Sequence, residues 1–247
     1  MTENRHTIQA IGIVVPARDE EAHIEHCLST IAASLARLPP RVAHAVCVVL
    51  DRCVDRTAER AQRQLARQSA DGIPMRIEIL RNHEPATVGS LRHTGLRRTL
   101  QLLADHQRSA TWLLSTDADT TVDHRWALDH LRYANQGADA VAGMADLDDP
   151  TALNPRRQRQ YAQLLAAGIH GDRHTHIYAA NLGIRADAYL AAGGFPSTPH
   201  GEDHQLHARL IAAGRHVVSA TDVRVRTSSR RHGRAPGGLA DLLNGLP

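Results

Sequence analysis

A chain of 247 residues, 42% of them hydrophobic, is long and apolar enough for one α/β domain or two small ones with a sizeable core, which excludes a disordered segment. Its formal charge of +3 and pI of about 9.1 suit anionic small molecules or lipid head groups as well as nucleic acid, but only 3% of residues are aromatic, too few for the base-stacking platforms of a single-strand binder. No apolar run approaches a membrane span, "MTENRHTIQA" lacks a signal-peptide pattern, and Cys27, Cys47 and Cys53 have neither paired nor metal-ligand spacing, so we expect a cytoplasmic chain with free thiols.

In chain order, "IQAIGIVVPA" reads as a buried strand, and "EEAHIEHCLSTIAASLARL" places its apolar residues near helical spacing. "AHAVCVVL" and "DRTAERAQRQLARQSA" repeat the pair, as do "MRIEIL" and "VGSLRHTGLRRTLQLLADH"; "ATWLLST" is a fourth strand. This alternation predicts parallel βαβ units with right-handed crossovers, hence an α/β fold with a Rossmann-like, mostly parallel sheet and helices on both faces. The second half is less regular. "ADAVAGMADL" reads as a strand, and "NPRRQRQYAQLLAAG" as a helix with Asn154 as cap and Pro155 at its first position. A short strand and helix follow in "NLGIRADAYLAAGGF", then a helix in "EDHQLHARLIAAG" ended by Gly214, and a final strand or two in "HVVSATDVRVRTSS". From Gly233 the tail is rich in Gly and Pro, as a mobile lid or a frayed end would be.

In such sheets ligands bind beyond the carboxyl ends of the strands, where "PARDE", "LDRCVD" and "STDAD" all fall. Asp117 and Asp119 of "STDAD" would point to the same face if the strand continued, and like carboxylates at close range resist joint ionisation. Either they form a solvated turn and helix cap, or they hold a cation; hard ions such as Mg²⁺ and Mn²⁺ prefer carboxylate oxygens and leave room for phosphate. A second D-x-D, Asp146 to Asp148, follows another strand. Asp51 is a turn acid or a ligand group, Arg92 a surface cation or an anion contact, and Glu20 a cap or a ligand contact. Glu202 and Asp203 open a helix, where the dipole favours acids whatever their function and would keep Asp203 ionised, as a general base must be.

These clusters, in this order, resemble the GT-A-fold glycosyltransferases of family 2, from about Ile11 to Thr227. The motifs that carry the resemblance are "VVPARDEEAHI", "VVLDRCVDRT", "VGSLRHTG", "STDADT", "NLGIRADAYLAAGGF" and "GEDHQLHARL". The sequence departs from the family pattern where Asp19 replaces the common Asn, Leu50 replaces the first acid of an Asp-Asp pair, and His93 replaces the Asn after Arg92. It lacks the Q-x-x-R-W motif of processive synthases, which favours transfer of a single sugar. The resemblance implies one GT-A domain over 1–247, with a nucleotide-binding half at about 8–122, a smaller, irregular acceptor-binding half at about 123–232, and the tail. It implies a nucleotide-diphospho-sugar donor, UDP or GDP type, and a Mn²⁺ or Mg²⁺ ion held by Asp119 with Asp117 near the ribose or metal. Pro16, Ala17, Glu20, Asp51, Arg92 and Asp117 would contact the nucleotide, Asp51 accepting from the base edge. Asp203 would take the acceptor hydroxyl proton in an inverting transfer, with Glu202 beside it orienting the acceptor or capping the helix.

Two rivals remain. A sugar-nucleotide nucleotidyltransferase would need a Gly-rich loop followed by Arg after the first strand, and "VVPARDEE" has none. A non-catalytic nucleotide-binding or zinc-dependent interaction protein would have no use for both the D-x-D and the late acidic pair. His204 and His207 share a helix face without an H-E-x-x-H pattern; His200 or His232 is a candidate to complete the metal site. The acceptor hydroxyl is unidentified. Arg156, Arg157 and Arg159 sit where cations oppose the helix dipole, which is the behaviour of a solvated face or of a contact with an anionic acceptor or membrane head group.

Overall fold

Ala10–Ala17 (β1) is buried at every position and Ala43–Asp51 (β2) at all but its first, as strands covered on both faces must be. The structure, a computed structural model, describes residues 7–70, 75–231, 233 and 238–246. The remaining elements, in chain order, are helix α1 (Ile24–Leu35), helix α2 (Thr57–Ala70), strand β3 (Met75–Asn82), helix α3 (Val88–Leu102), strands β4 (Thr111–Ser115) and β5 (Thr120–Val122), helix α4 (Trp126–Asn135), strand β6 (Ala140–Leu147), helix α5 (Pro155–Ala167), strands β7 (Ile169–His170), β8 (Arg173–His174) and β9 (Leu182–Arg185), helices α6 (Ala186–Ala191) and α7 (Glu202–Ala212), strand β10 (Val217–Thr227) and helix α8 (Leu239–Gly245). Among the described residues no helix is long and apolar enough to cross a membrane.

An eight-stranded sheet runs β3-β2-β1-β4-β9-β6-β10-β5, and β7 pairs with β8 in a separate hairpin. The first four neighbours are parallel, as the alternating pattern predicts. The expectation of a mostly parallel, Rossmann-like sheet needs correction in the second half. β9 lies between β4 and β6 and runs against both, and β5 runs against β10 at the edge, so the sheet is mixed. β5 is entered from a four-residue turn after β4 and β9 from the segment after β8, with no α-helix directly before either, so neither arrives by the strand–helix–strand crossover that gives parallel neighbours.

Helices cover both faces. One buried cluster joins α1, α2 and α4 to Ile11, Ile13 and Val15 of β1; the other joins α3, α6 and α7 to Val14 and Val49. Gly95 lets α3 lie close on the sheet, since a Cβ there would stand 2.3 Å from Val14 Cγ2 and 2.9 Å from Val49 Cγ2. Of the tail, residues 239–245 form α8, whose Leu243 packs with Leu147, Leu153 and Tyr161. Residues 234–237 and 247, also assigned to the tail from sequence, lie outside the described residues.

Candidate active site

Pro16 lies inside β1, one residue from its end and not at it, where the ladder with β4 has already stopped at Val14; its missing N–H breaks no bond there. Ala17 and Arg18 carry the chain over the sheet edge, and Glu20 is pinned by its backbone N–H, which donates to Thr57 Oγ1 at 2.7 Å. At the end of β2, the buried Asp51 carboxylate accepts from Asn82 Nδ2 at 2.7 Å and Arg52 Nε at 3.2 Å. Pro16, Ala17, Arg18, Glu20 and Asp51 line one cleft of about 670 Å³, together with Arg92, Asp117, Asp119, Glu202, Asp203 and Arg230.

The D-x-D is a turn, not a strand continuation: Thr120 N–H donates to Asp117 O at 3.1 Å, and β5 begins at once. Nor does Asp119 cap the following helix, because β5 intervenes and α4 starts at Trp126. The two carboxylates are therefore relieved separately. Asp117 Oδ1 accepts from Arg92 Nη2 at 2.5 Å. Asp119 Oδ2 lies 2.9 Å from Arg230 Nη2, which also reaches Glu20 Oε1 at 2.7 Å. Arg92 is 3% exposed; it donates to Ser115 Oγ at 2.8 Å, and its Nε stands 3.5 Å from Glu202 Oε1. One guanidinium thus ties the D-x-D to the late acidic pair. Glu202 is buried against Arg92, and its less buried neighbour Asp203 lines the same cleft. Asp203 Oδ2 accepts from Ala179 N–H at 3.1 Å and Oδ1 from its neighbour His204 N–H at 2.8 Å. α7 starts one residue after Gly201, whose φ of +69° turns the chain into the cleft at the cost that only glycine avoids.

Electrostatics favour an added cation. Four carboxylates, those of Glu20, Asp117, Asp119 and Glu202, meet two guanidiniums, those of Arg92 and Arg230. Burial, then the Asp117 and Glu20 charges, push the Asp119 carboxyl up to about 7 against the opposing pull of Arg230. Burial also raises Glu202, with Arg92 opposing it. Carboxylate oxygens with surplus negative charge fit a hard divalent ion.

The other candidates separate cleanly. In the second D-x-D, Asp146 takes Arg224 through two bonds, and Asp148 Oδ1 accepts from Ser229 N–H at 2.8 Å, which makes both structural. Asp19, Cys53 and Asp55 are, among the described residues, the group whose potential ligand atoms lie within 4.8 Å of one another. Their carboxylates already accept from the backbone N–H groups of Val54, Glu21 and Thr57, and so build the turn between β2 and α2. His200 and His204 line the cleft and are exposed; His232 lies outside the described residues. Arg156, Arg157 and Arg159 do not line the cleft, and Arg157 Nε donates to Leu246 O at 3.1 Å. Sequence reasoning missed Ser115, Asn82 and above all Arg230, which lies just before the tail in the basic stretch "RRHGR".

A family model described as Glycosyltransferase like family 2 matches residues 9–237. A search of curated proteins returned no match. Among solved structures, the chain is similar to the mannosyltransferase PcManGT from Pyrobaculum calidifontis in complex with GDP-Man and Mn²⁺, at TM-score 0.64 and 18% identity over 90% of this chain and 58% of that one. It is similar to S. aureus TarS 1-349, at 0.59 and 14% over 90% and 61%, and to glucosyl-3-phosphoglycerate synthase from Mycobacterium tuberculosis in complex with Mg²⁺ and uridine-diphosphate, at 0.52 and 14% over 90% and 72%. At these identities the likeness is one of fold, and the chain spans about three fifths of the first two proteins.

Proposed function

The chain belongs to the glycosyltransferase-like family 2, and from that premise we propose that it moves one sugar from a nucleotide-diphospho-sugar, UDP or GDP type, to an acceptor hydroxyl with inversion. The observation that carries this is the Arg92 bridge, which joins Asp117 of the D-x-D to Glu202 of the acidic pair within one cleft. Three of the similar structures support the donor class, since they are described with GDP-Man and Mn²⁺ or with uridine-diphosphate and Mg²⁺ or Mn²⁺.

Asp119 and Asp117 would hold the Mn²⁺ or Mg²⁺, which when bound offsets charge on the leaving diphosphate. The residues of the chain do the rest. Asp51 accepts a hydrogen bond from the base edge, and Ala17 leaves room for the flat ring above β1. Arg92, fixed by Ser115, Asp117 and Glu202, presents a buried positive charge to the nucleotide, and Glu202 acts by positioning it. Asp203 removes the acceptor proton. Each of its oxygens accepts one backbone N–H, which leaves a lone pair on each for that proton. One base and no enzyme nucleophile give inversion, through an oxocarbenium-like transition state. The two halves, about 8–122 and 123–232, divide donor from acceptor work in one cytoplasmic domain. The exposed Arg156 and Arg159 would make any peripheral contact with an anionic or lipid-linked acceptor. In Asp119→Ala, Mn²⁺-dependent binding of a nucleoside diphosphate should disappear while the melting temperature stays near wild type; retained Mn²⁺ dependence would move the metal site elsewhere.

A further inference from the structure

Arg92 and Arg230 serve one acidic cluster through different carboxylates, and they are held differently. Arg92 is locked: its side chain is 4% exposed, hydrogen-bonded to Ser115 and Asp117 and ion-paired with Glu202. Arg230 is held by carboxylates alone. Its Nη1 donates to Glu20 Oε2 at 2.8 Å, while Nη2 stands 2.7 Å from Glu20 Oε1 and 2.9 Å from Asp119 Oδ2. Its side chain is 26% exposed and lines the cleft.

The backbone on both sides of Arg230 is tied down. Ser229 N–H donates to Asp148 Oδ1 at 2.8 Å, and Arg231 exchanges two hydrogen bonds with Asn244 of α8, one of them Nε to Asn244 Oδ1 at 3.0 Å. Any change of partner therefore falls to the Arg230 side chain. Mg²⁺ binds oxygen ligands at about 2.0–2.1 Å. An ion taken up by Asp119 would share that carboxylate with the guanidinium now on it, and two positive charges on one carboxylate repel. A diphosphate offers the released guanidinium what the carboxylate offered, since its planar fork matches either anion.

Resting on the transferase function proposed above, we propose that Arg230 is a displaceable cation: it competes with the divalent ion for Asp119, and the guanidinium that is displaced passes to the diphosphate of the donor. Asp119, its side chain only 11% exposed, then never stands unneutralised. Ion and nucleotide loading become coupled, because the nucleotide supplies the new partner of Arg230.

Mn²⁺ binding to the full chain, read from the electron paramagnetic resonance signal of the free ion with and without UDP or GDP, tests this without turnover. Arg230→Gln should bind Mn²⁺ alone about 5- to 150-fold more tightly than wild type, the range of ordinary site–site coupling. Nucleoside diphosphate should then enhance Mn²⁺ affinity less than it does in wild type. Arg231→Gln should leave Mn²⁺ binding unchanged. Arg230→Lys keeps the charge but loses the fork, and should tighten Mn²⁺ binding in the same direction; it decides the matter if Arg230→Gln does not fold. Wild-type Mn²⁺ affinity in the folded variants, or an undiminished enhancement by nucleotide, would overturn the handover. The function itself has a separate readout. Mn²⁺-dependent nucleotide binding that Asp119→Ala abolishes and Arg230→Gln leaves untouched keeps the transferase and removes this inference. Absence of both Mn²⁺ and nucleotide binding in wild type removes both.

Discussion

Asp203→Asn isolates the proton transfer from everything else in the cleft. The carboxylate is fixed by two backbone donors, Ala179 N–H on Oδ2 and His204 N–H on Oδ1. Asparagine keeps one acceptor oxygen and turns an amide N–H₂ toward the other donor, so one of these bonds is lost. The loss costs about 1 kcal/mol, and so lowers the melting temperature by roughly 2–4 °C in a chain of this size. Donor binding should survive, because Arg92 is bonded to Asp117 and paired with Glu202 and makes no hydrogen bond to Asp203. Without a base, kcat should fall by about 10²–10⁴. A residue that merely capped α7 would show the same small melting shift with normal turnover by the folded protein. Turnover and melting temperature should be measured on one sample, with saturating acceptor and Mn²⁺. A kcat within a few-fold of wild type would refute Asp203 as the base.

Two predictions concern the scaffold that sets this geometry. Gly95→Ala drives a methyl into Val14 and Val49, and overpacking of this kind typically costs about 1–3 kcal/mol; a denaturation midpoint equal to wild type would mean that α3 can lift off the sheet freely. Burial pushes the His130 imidazole down to about 4, so the unfolded chain takes up its proton first as pH falls. The stability contribution is complete above about pH 6.5 and is lost toward pH 4, at up to about 1.4 kcal/mol per pH unit. Urea unfolding at pH 7.5 and pH 5 should show that difference in wild type relative to His130→Gln, and parallel pH profiles for the two proteins would contradict it.

The elements up to Ser115 were legible because long apolar runs alternate with helical spacing, and each polar cluster after a strand had to fall on one sheet edge. Strand direction in the second half was not legible. β9 is the four-residue stretch "LGIR" and β5 only three residues, and neither length nor periodicity says that such a piece runs against its neighbours. The D-x-D looked like two crowded charges because its partners come from far along the chain: Arg92 is 25 residues away, and Arg230 reaches Glu20 across 210. A pattern read locally cannot pair them. α8 hid in a tail whose Gly and Pro content suggests fraying, since its stability comes from Leu243 packing against Tyr161 and Leu153 and not from its own propensity.

Thermal unfolding against a panel of nucleoside diphosphates, with Mn²⁺ and with a chelator, is the most direct test that this cleft is a metal-dependent donor site. A nucleotide at a hundred times its Kd adds about 2.7 kcal/mol of stability, which raises Tm by roughly 5–10 °C in a chain of this size. One base, UDP or GDP, should give that rise with Mn²⁺ and lose most of it with the chelator. A flat Tm across every nucleoside diphosphate in the presence of Mn²⁺ would contradict the donor site and the transfer reaction built on it.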